Sequence, residues 1–220
     1  MSGILARMKT TLRQTLIDQA LHIIDERGND PSHDGNHALQ VLKNVEMLAA
    51  SEGGDLDVLI PAALLHDVVI YAKNDPKSDQ APAESAALTK EILTSLPEYP
   101  QEKIPLVMQV IERCSFNKTE EPATIEGKIL RDADKLEATG AVSIMRTFSS
   151  GGQMGRPLYN RSDPFANNRA ADAKEQSLDL FYERLLIAKD RMYTETAKAM
   201  AEQRTEILHQ FLEQLKQEIL

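Results

Sequence analysis

His66 and Asp67 stand side by side in the stretch AALLHDVVIY, with Ala62 to Leu65 before them and Val68 to Ile70 after. A helix this apolar is expected to be buried. A carboxylate buried there without a partner is costly, or stays protonated. A metal cation removes the penalty, because it takes the imidazole and the carboxylate as ligands. Side chains adjacent in a helix point about 100° apart, and an ion lying between those directions is within reach of both. A lone His-Asp pair is more often a core histidine beside a capping aspartate, so the remaining residues decide.

His37 lies one turn before Val41 and two before Val45, on the inward stripe of the preceding helix. Asp134 shares a helical face with Leu130, Ala138 and Ala141, a small apolar surface suited to close packing around an ion. Asp132, in the same Asp-Ala-Asp, has Lys128 and Lys135 at i−4 and i+3 and is read as a surface salt-bridge partner. His37, His66, Asp67 and Asp134 thus form a mixed nitrogen and oxygen set for one divalent ion: Mn²⁺, Mg²⁺, Fe²⁺ or Co²⁺. Only His22, His33 and His209 remain as spare histidines.

These residues need helices to position them, and the periodicity predicts helices. They run over 10–27, 36–51, 55–71, 83–96, 102–114, 124–148, 176–191 and 194–219. Gly53-Gly54 should end the second, and Pro61 falls inside the third. Residues 72–82 and 149–169 read as loops. No segment alternates with period two over strand length, and none resembles an interdomain linker. The expectation is one all-α domain over 1–220, a helical bundle with the site between central helices. Its core spans about 32–150, and the helices over 176–219 pack on it.

Composition narrows the function classes. Hydrophobic residues make up 42% and charged residues 27%, ordinary for a folded protein. A net charge of −9 disfavours a polymeric nucleic-acid partner, while a bound cation can still attract a small phosphorylated one. Cys114 is the only cysteine, so neither an internal disulfide nor a cysteine-based zinc cluster can form. Met1 to Arg13 is basic without an apolar segment, and the apolar run Val58 to Leu65 is too short to cross a bilayer. The expected compartment is the cytoplasm, with no membrane partner.

The order His37, His66-Asp67, Asp134 resembles the H…HD…D signature of the HD-domain metal-dependent phosphohydrolases. The likeness extends through SHDGNHALQV, AALLHDVVIYAKNDP, TIEGKILRDADKLEATGA, FSSGGQMGRPLYN and FYERLLIAKDRMYTETAKAMAEQR, which are similar to segments of a small bacterial subgroup that includes nucleotide pyrophosphohydrolases. The resemblance implies an HD-type fold and a small phosphorylated substrate, a nucleotide above all. It places His33 and Asp34 beside the ligands, facing the substrate or supporting the site, and Lys73 in the loop after the doublet. Cys114, Lys135 and Glu137 depart from the subgroup's His, Arg and Asp. Chemistry of this kind needs a proton acceptor, for which Asp67, Asp34 and Glu137 are candidates. It also needs cations for phosphoryl oxygens, for which Lys73, Arg156 and Lys189 are candidates. Tyr71, Phe116, Tyr159, Phe165, Phe181 and Tyr182 are assigned mainly to packing. The competing reading is a non-catalytic metal-binding helical module that presents the helix over 194–219 to a partner.

Overall fold

The computed structural model describes residues 8–27, 34–71, 75–114 and 120–220. Their regular elements are all helical, with no strand among the described residues, and they gather into two compact units, Met1–Asp134 and Lys135–Leu220.

In the first unit, α1 (Thr10–Glu26), α2 (Gly35–Glu52), α4 (Ala81–Thr94) and α5 (Ile104–Glu112) all pack on α3 (Leu56–Leu65). The reason lies in composition: every α3 residue from Val58 to Leu65 is buried. A buried Leu, Val or Ile stabilises by about 1.5–3 kcal/mol, so this helix occupies the centre rather than an edge. Gly53 and Gly54 end α2 as expected. Gly54 has φ +98°, and a β-carbon there would meet Leu59 Cδ1 at 3.1 Å and Ile129 Cδ1 at 3.3 Å. Only glycine suits both the backbone and the space.

The N-terminal half of α3 is heavily braced. Pro61 has no N–H and so leaves the Asp57 carbonyl without its helical partner. The Tyr99 hydroxyl, from beyond α4, donates to that carbonyl at 2.8 Å. Burial, then the nearby Asp57, pushes the Tyr99 phenol well above its ordinary pKa, so it stays a donor. Lys103 Nζ pairs with Asp55 at 2.7 Å and Asp57 at 2.6 Å. The Asp55 N–H donates to Glu126 of α6 (Ile125–Lys135) at 3.1 Å.

In the second unit, α7 (Gly140–Gln153) packs on α8 (Glu195–Ile219). Phe148, Phe181 and Phe211 meet at ring separations of 5.5–6.1 Å, over Leu178, Leu185 and Leu208. Phe165, Tyr159 and Tyr182 join this core, the packing role expected of them; Phe116 lies outside the described residues. Arg169 pairs with the fully buried Asp179, which also accepts from the Asp172 N–H at 2.7 Å.

Three expected helices differ. The one over 55–71 stops at Leu65, and that over 124–148 is broken. Leu136–Ala138 forms a 3₁₀ turn, Thr139 Oγ1 donates to the Leu136 carbonyl at 2.6 Å, and Gly140 takes φ +71° before α7 begins. The segment over 176–191 is a π turn, Phe181–Leu185, followed by a 3₁₀ turn, Ala188–Arg191. No described helix is long and apolar enough to cross a membrane.

Tyr99→Phe should lower stability by about 1–2 kcal/mol, because the Asp57 carbonyl loses its donor. Urea unfolding is the measurement, with a lower midpoint at unchanged slope.

Candidate metal centre

The site begins with the first turn of α2. Asp34 is its N-cap: Oδ1 accepts from the His37 N–H at 3.0 Å, and Oδ2 from Asn36 Nδ2 at 3.0 Å. His37 then heads a buried face that continues through Val41, Asn44, Val45 and Leu48. Asn44 Nδ2 donates to the Ala133 carbonyl at 3.1 Å, inside the protein. This bond joins α2 to α6 one residue before Asp134, whose Oδ1 sits 3.6 Å from His37 Nε2.

The other half comes from the end of α3. His66 is the C-cap residue, and its Nδ1 lies 2.9 Å from the Ala63 carbonyl. A carbonyl only accepts, so Nδ1 carries the proton and Nε2 presents a lone pair. That Nε2 is buried and has no hydrogen-bond partner. Asp67 Oδ2 lies 3.4 Å from it and 3.7 Å from His37 Nε2. The two imidazoles meet edge to face, with centroids 5.5 Å apart.

The donors fit a metal ion. His37, His66 and Asp134 each offer a ligand atom within 4.8 Å of the others. Ligand atoms about 2.1 Å from one ion stand about 3–4 Å apart, which also suits Asp67 against both histidines. The imidazole side chains are 4% and 3% exposed, the Asp67 and Asp134 carboxylates 38% and 22%. The cluster is therefore closed behind the histidines and open on the carboxylate side, where a ligand would enter.

The other expected residues fall out as follows. Asp34 caps α2 rather than pointing its oxygens at open solvent. Glu137 is buried in the second unit, with Oε2 3.8 Å from Arg146 Nη1. Arg156 follows α7, its N–H donating to the Gly151 carbonyl at 2.9 Å, and Lys189 is in the turn Ala188–Arg191; both also belong to the second unit. His33 and Lys73 lie outside the described residues. The surface role expected of Asp132 is wrong: it is fully buried. Its lysine neighbours misled, because Lys135 is itself buried, donating from Nζ to the Arg191 carbonyl at 2.6 Å and lying 4.2 Å from the Tyr193 ring centroid.

Two contributors escaped the sequence reading. Asn44, at i+7 from His37, was legible as a polar residue on an apolar stripe. Arg27, whose Nη1 donates to the Asp67 carbonyl at 3.0 Å, comes from 40 residues earlier and carried no local signal.

An all-helical protein with two imidazoles and two carboxylates gathered at one point has the make-up of a metal-dependent hydrolase. Comparison with known proteins agrees. The HD domain family matches residues 34–139. The uncharacterized protein YpgQ of Bacillus subtilis is 33% identical over 193 residues, covering 85% of this chain and 84% of that protein. The structure of YpgQ in complex with ADP superposes with a TM-score of 0.71 at 27% identity, covering 94% of this chain and 97% of that one. An HD-superfamily hydrolase from Bacillus thuringiensis superposes with a TM-score of 0.69 at 32% identity, covering 96% and 98%. The chain belongs to the HD superfamily, and it is a metal-dependent phosphohydrolase of that class.

Asp34 offers a clean separation of capping from chemistry. Asparagine caps as well as aspartate, whereas alanine costs about 1 kcal/mol. Asp34→Ala should lower the melting temperature, and Asp34→Asn should keep both melting temperature and turnover. A stable Asp34→Asn protein without turnover would instead assign the carboxylate to the reaction.

Proposed function

We propose that the protein hydrolyses a phosphoester or phosphoanhydride bond of a nucleotide, with His37, His66, Asp67 and Asp134 holding one divalent ion. The observation that carries this reading is the buried His66 Nε2, without a hydrogen-bond partner, its lone pair beside the Asp67 carboxylate. When bound, such an ion acidifies a water and polarises a phosphoryl oxygen. The protein's own part is to hold the donors. The Ala63 carbonyl keeps the His66 tautomer, the Asp34 cap orients the first turn below His37, and Asn44 sets α6 against α2. Asp67, the more exposed of the two acids, is our choice for the group that takes the proton from the attacking water, at Oδ.

The nucleotide is suggested by YpgQ, a similar protein solved with ADP. Nucleoside triphosphate cleavage with release of pyrophosphate is our preferred reaction, and release of orthophosphate from a monophosphate is its competitor. Among the remaining expected groups, Arg156, Lys189, His33 and Lys73 are proposed to meet the substrate, and Glu137 to serve as an alternative acceptor. Nothing favours the non-catalytic module, since α8 turns Ala197, Ala201, Thr205 and Leu208 into the protein, the work of a core-covering helix.

Two measurements test the proposal. Mn²⁺ at a hundred times its dissociation constant should stabilise the fold by about 2.7 kcal/mol, and His66→Ala should abolish that gain. A panel of nucleotides assayed with Mn²⁺, Mg²⁺, Co²⁺ or Fe²⁺ should show turnover that falls by about three orders of magnitude or more in Asp67→Ala. Identification of pyrophosphate or orthophosphate among the products decides the bond cleaved. A wild-type protein that binds metal yet turns over no phosphorylated compound would overturn the reading.

A further inference from the structure

Arg27 is the C-cap residue of α1, and its Nη1 reaches the main-chain carbonyl of Asp67 at 3.0 Å. The residue is otherwise exposed, and among the described residues its other guanidinium N–H groups meet no protein acceptor. The group is partly desolvated, which lowers its pKa, and the Asp67 charge acts in the opposite direction. An arginine stays protonated throughout, so a permanent positive charge stands beside Asp67, the more exposed acid of the metal centre.

Charge balance gives that position its meaning. Two ionised carboxylates neutralise a divalent ion, and a histidine bound through Nε2 with its proton on Nδ1 adds nothing. A phosphate-bearing ligand carrying two or more negative charges therefore finds no net positive charge in the ligand set alone. A structural explanation accounts for only part of the contact. The Asp67 carbonyl lies just past the end of α3, where carbonyls lack helical donors and a cation is favoured. One N–H meets that need, and a lysine would do as well. The planar fork of an arginine is suited to more: it engages two acceptors at once and matches phosphate oxygens.

We infer that Arg27 is the anion-binding arm of the centre. Through Nη1 it steadies the Asp67 turn, and through its remaining N–H groups it takes the non-bridging oxygens of a phosphate group on a small-molecule ligand. The inference rests on the phosphohydrolase reading above, and its test is chosen to stand apart from turnover.

The probe is inorganic phosphate, titrated into Mn²⁺-loaded full-length protein and followed by ³¹P relaxation, with Mn²⁺ affinity measured separately by calorimetry. Arg27→Gln should weaken phosphate binding by about tenfold or more and leave Mn²⁺ affinity within about twofold. Arg27→Lys, which keeps the charge without the fork, should fall between. Unchanged phosphate affinity in Arg27→Gln would overturn the inference. So would parallel losses of phosphate and Mn²⁺ affinity that Arg27→Lys restores together, since Arg27 would then be a brace for Asp67. Absence of turnover in the wild type would remove the hydrolase reading while the phosphate titration still reports on Arg27.

Discussion

The hydrogen bond between His66 Nδ1 and the Ala63 carbonyl is the contact on which the rest of the site depends. It uses the acceptor that a continuing helix would offer to residue 67, and α3 ends there, at Leu65. It also fixes the imidazole so that Nε2 is the free nitrogen. Beyond the helix, Val69 turns to α4, its N–H donating to Ser85 Oγ at 3.0 Å and its carbonyl accepting from the same hydroxyl at 3.3 Å. Had the helix run on, adjacent side chains would diverge by about 100°. In the turn, Asp67 instead brings Oδ2 to within 3.4 Å of His66 Nε2.

A polar cluster at one end of an apolar helix needs the other end held. Pro61 frees the Asp57 carbonyl for Tyr99, and Lys103 bridges Asp55 and Asp57. Acidic groups at a helix N-terminus also suit its dipole. The helix is thus anchored through its first turn by long side chains and presents its last turn to chemistry. Asn44 performs the matching task between α2 and α6. Such fixed supports matter because ligands must be positioned to within fractions of an ångström before a metal arrives.

The electrostatic design is asymmetric. Both imidazoles are sealed in the interior. Both carboxylates lie toward solvent. A cation between them would give the buried His66 Nε2, which has no hydrogen-bond partner, and the nearby Asp67 carboxylate a shared partner. The acidity of the whole chain, at −9, does not oppose this local arrangement, because field at a cleft is set by the nearest charges.

The ligand types and their helices were legible because burial leaves a strong trace: His66-Asp67 inside an unbroken apolar run, and His37 on a stripe with Val41 and Val45. Asp132 was misread for the converse reason, since a lysine neighbour looks like solvent whether or not its amine folds back onto a carbonyl and a ring. The helix endings at Leu65 and Lys135 were invisible to periodicity, because side chains stop those helices, those of His66 and Thr139, while the apolar pattern continues. By itself, then, the sequence determined an all-helical chain, its buried central helix and the residue types for a metal. Only the tertiary structure decided which nitrogen of His66 is free, that Asp67 turns back toward both histidines, and that Arg27 reaches the Asp67 carbonyl. Those outcomes rest on hydrogen bonds between groups as distant in sequence as Arg27 and Asp67, which no local pattern of hydrophobicity encodes.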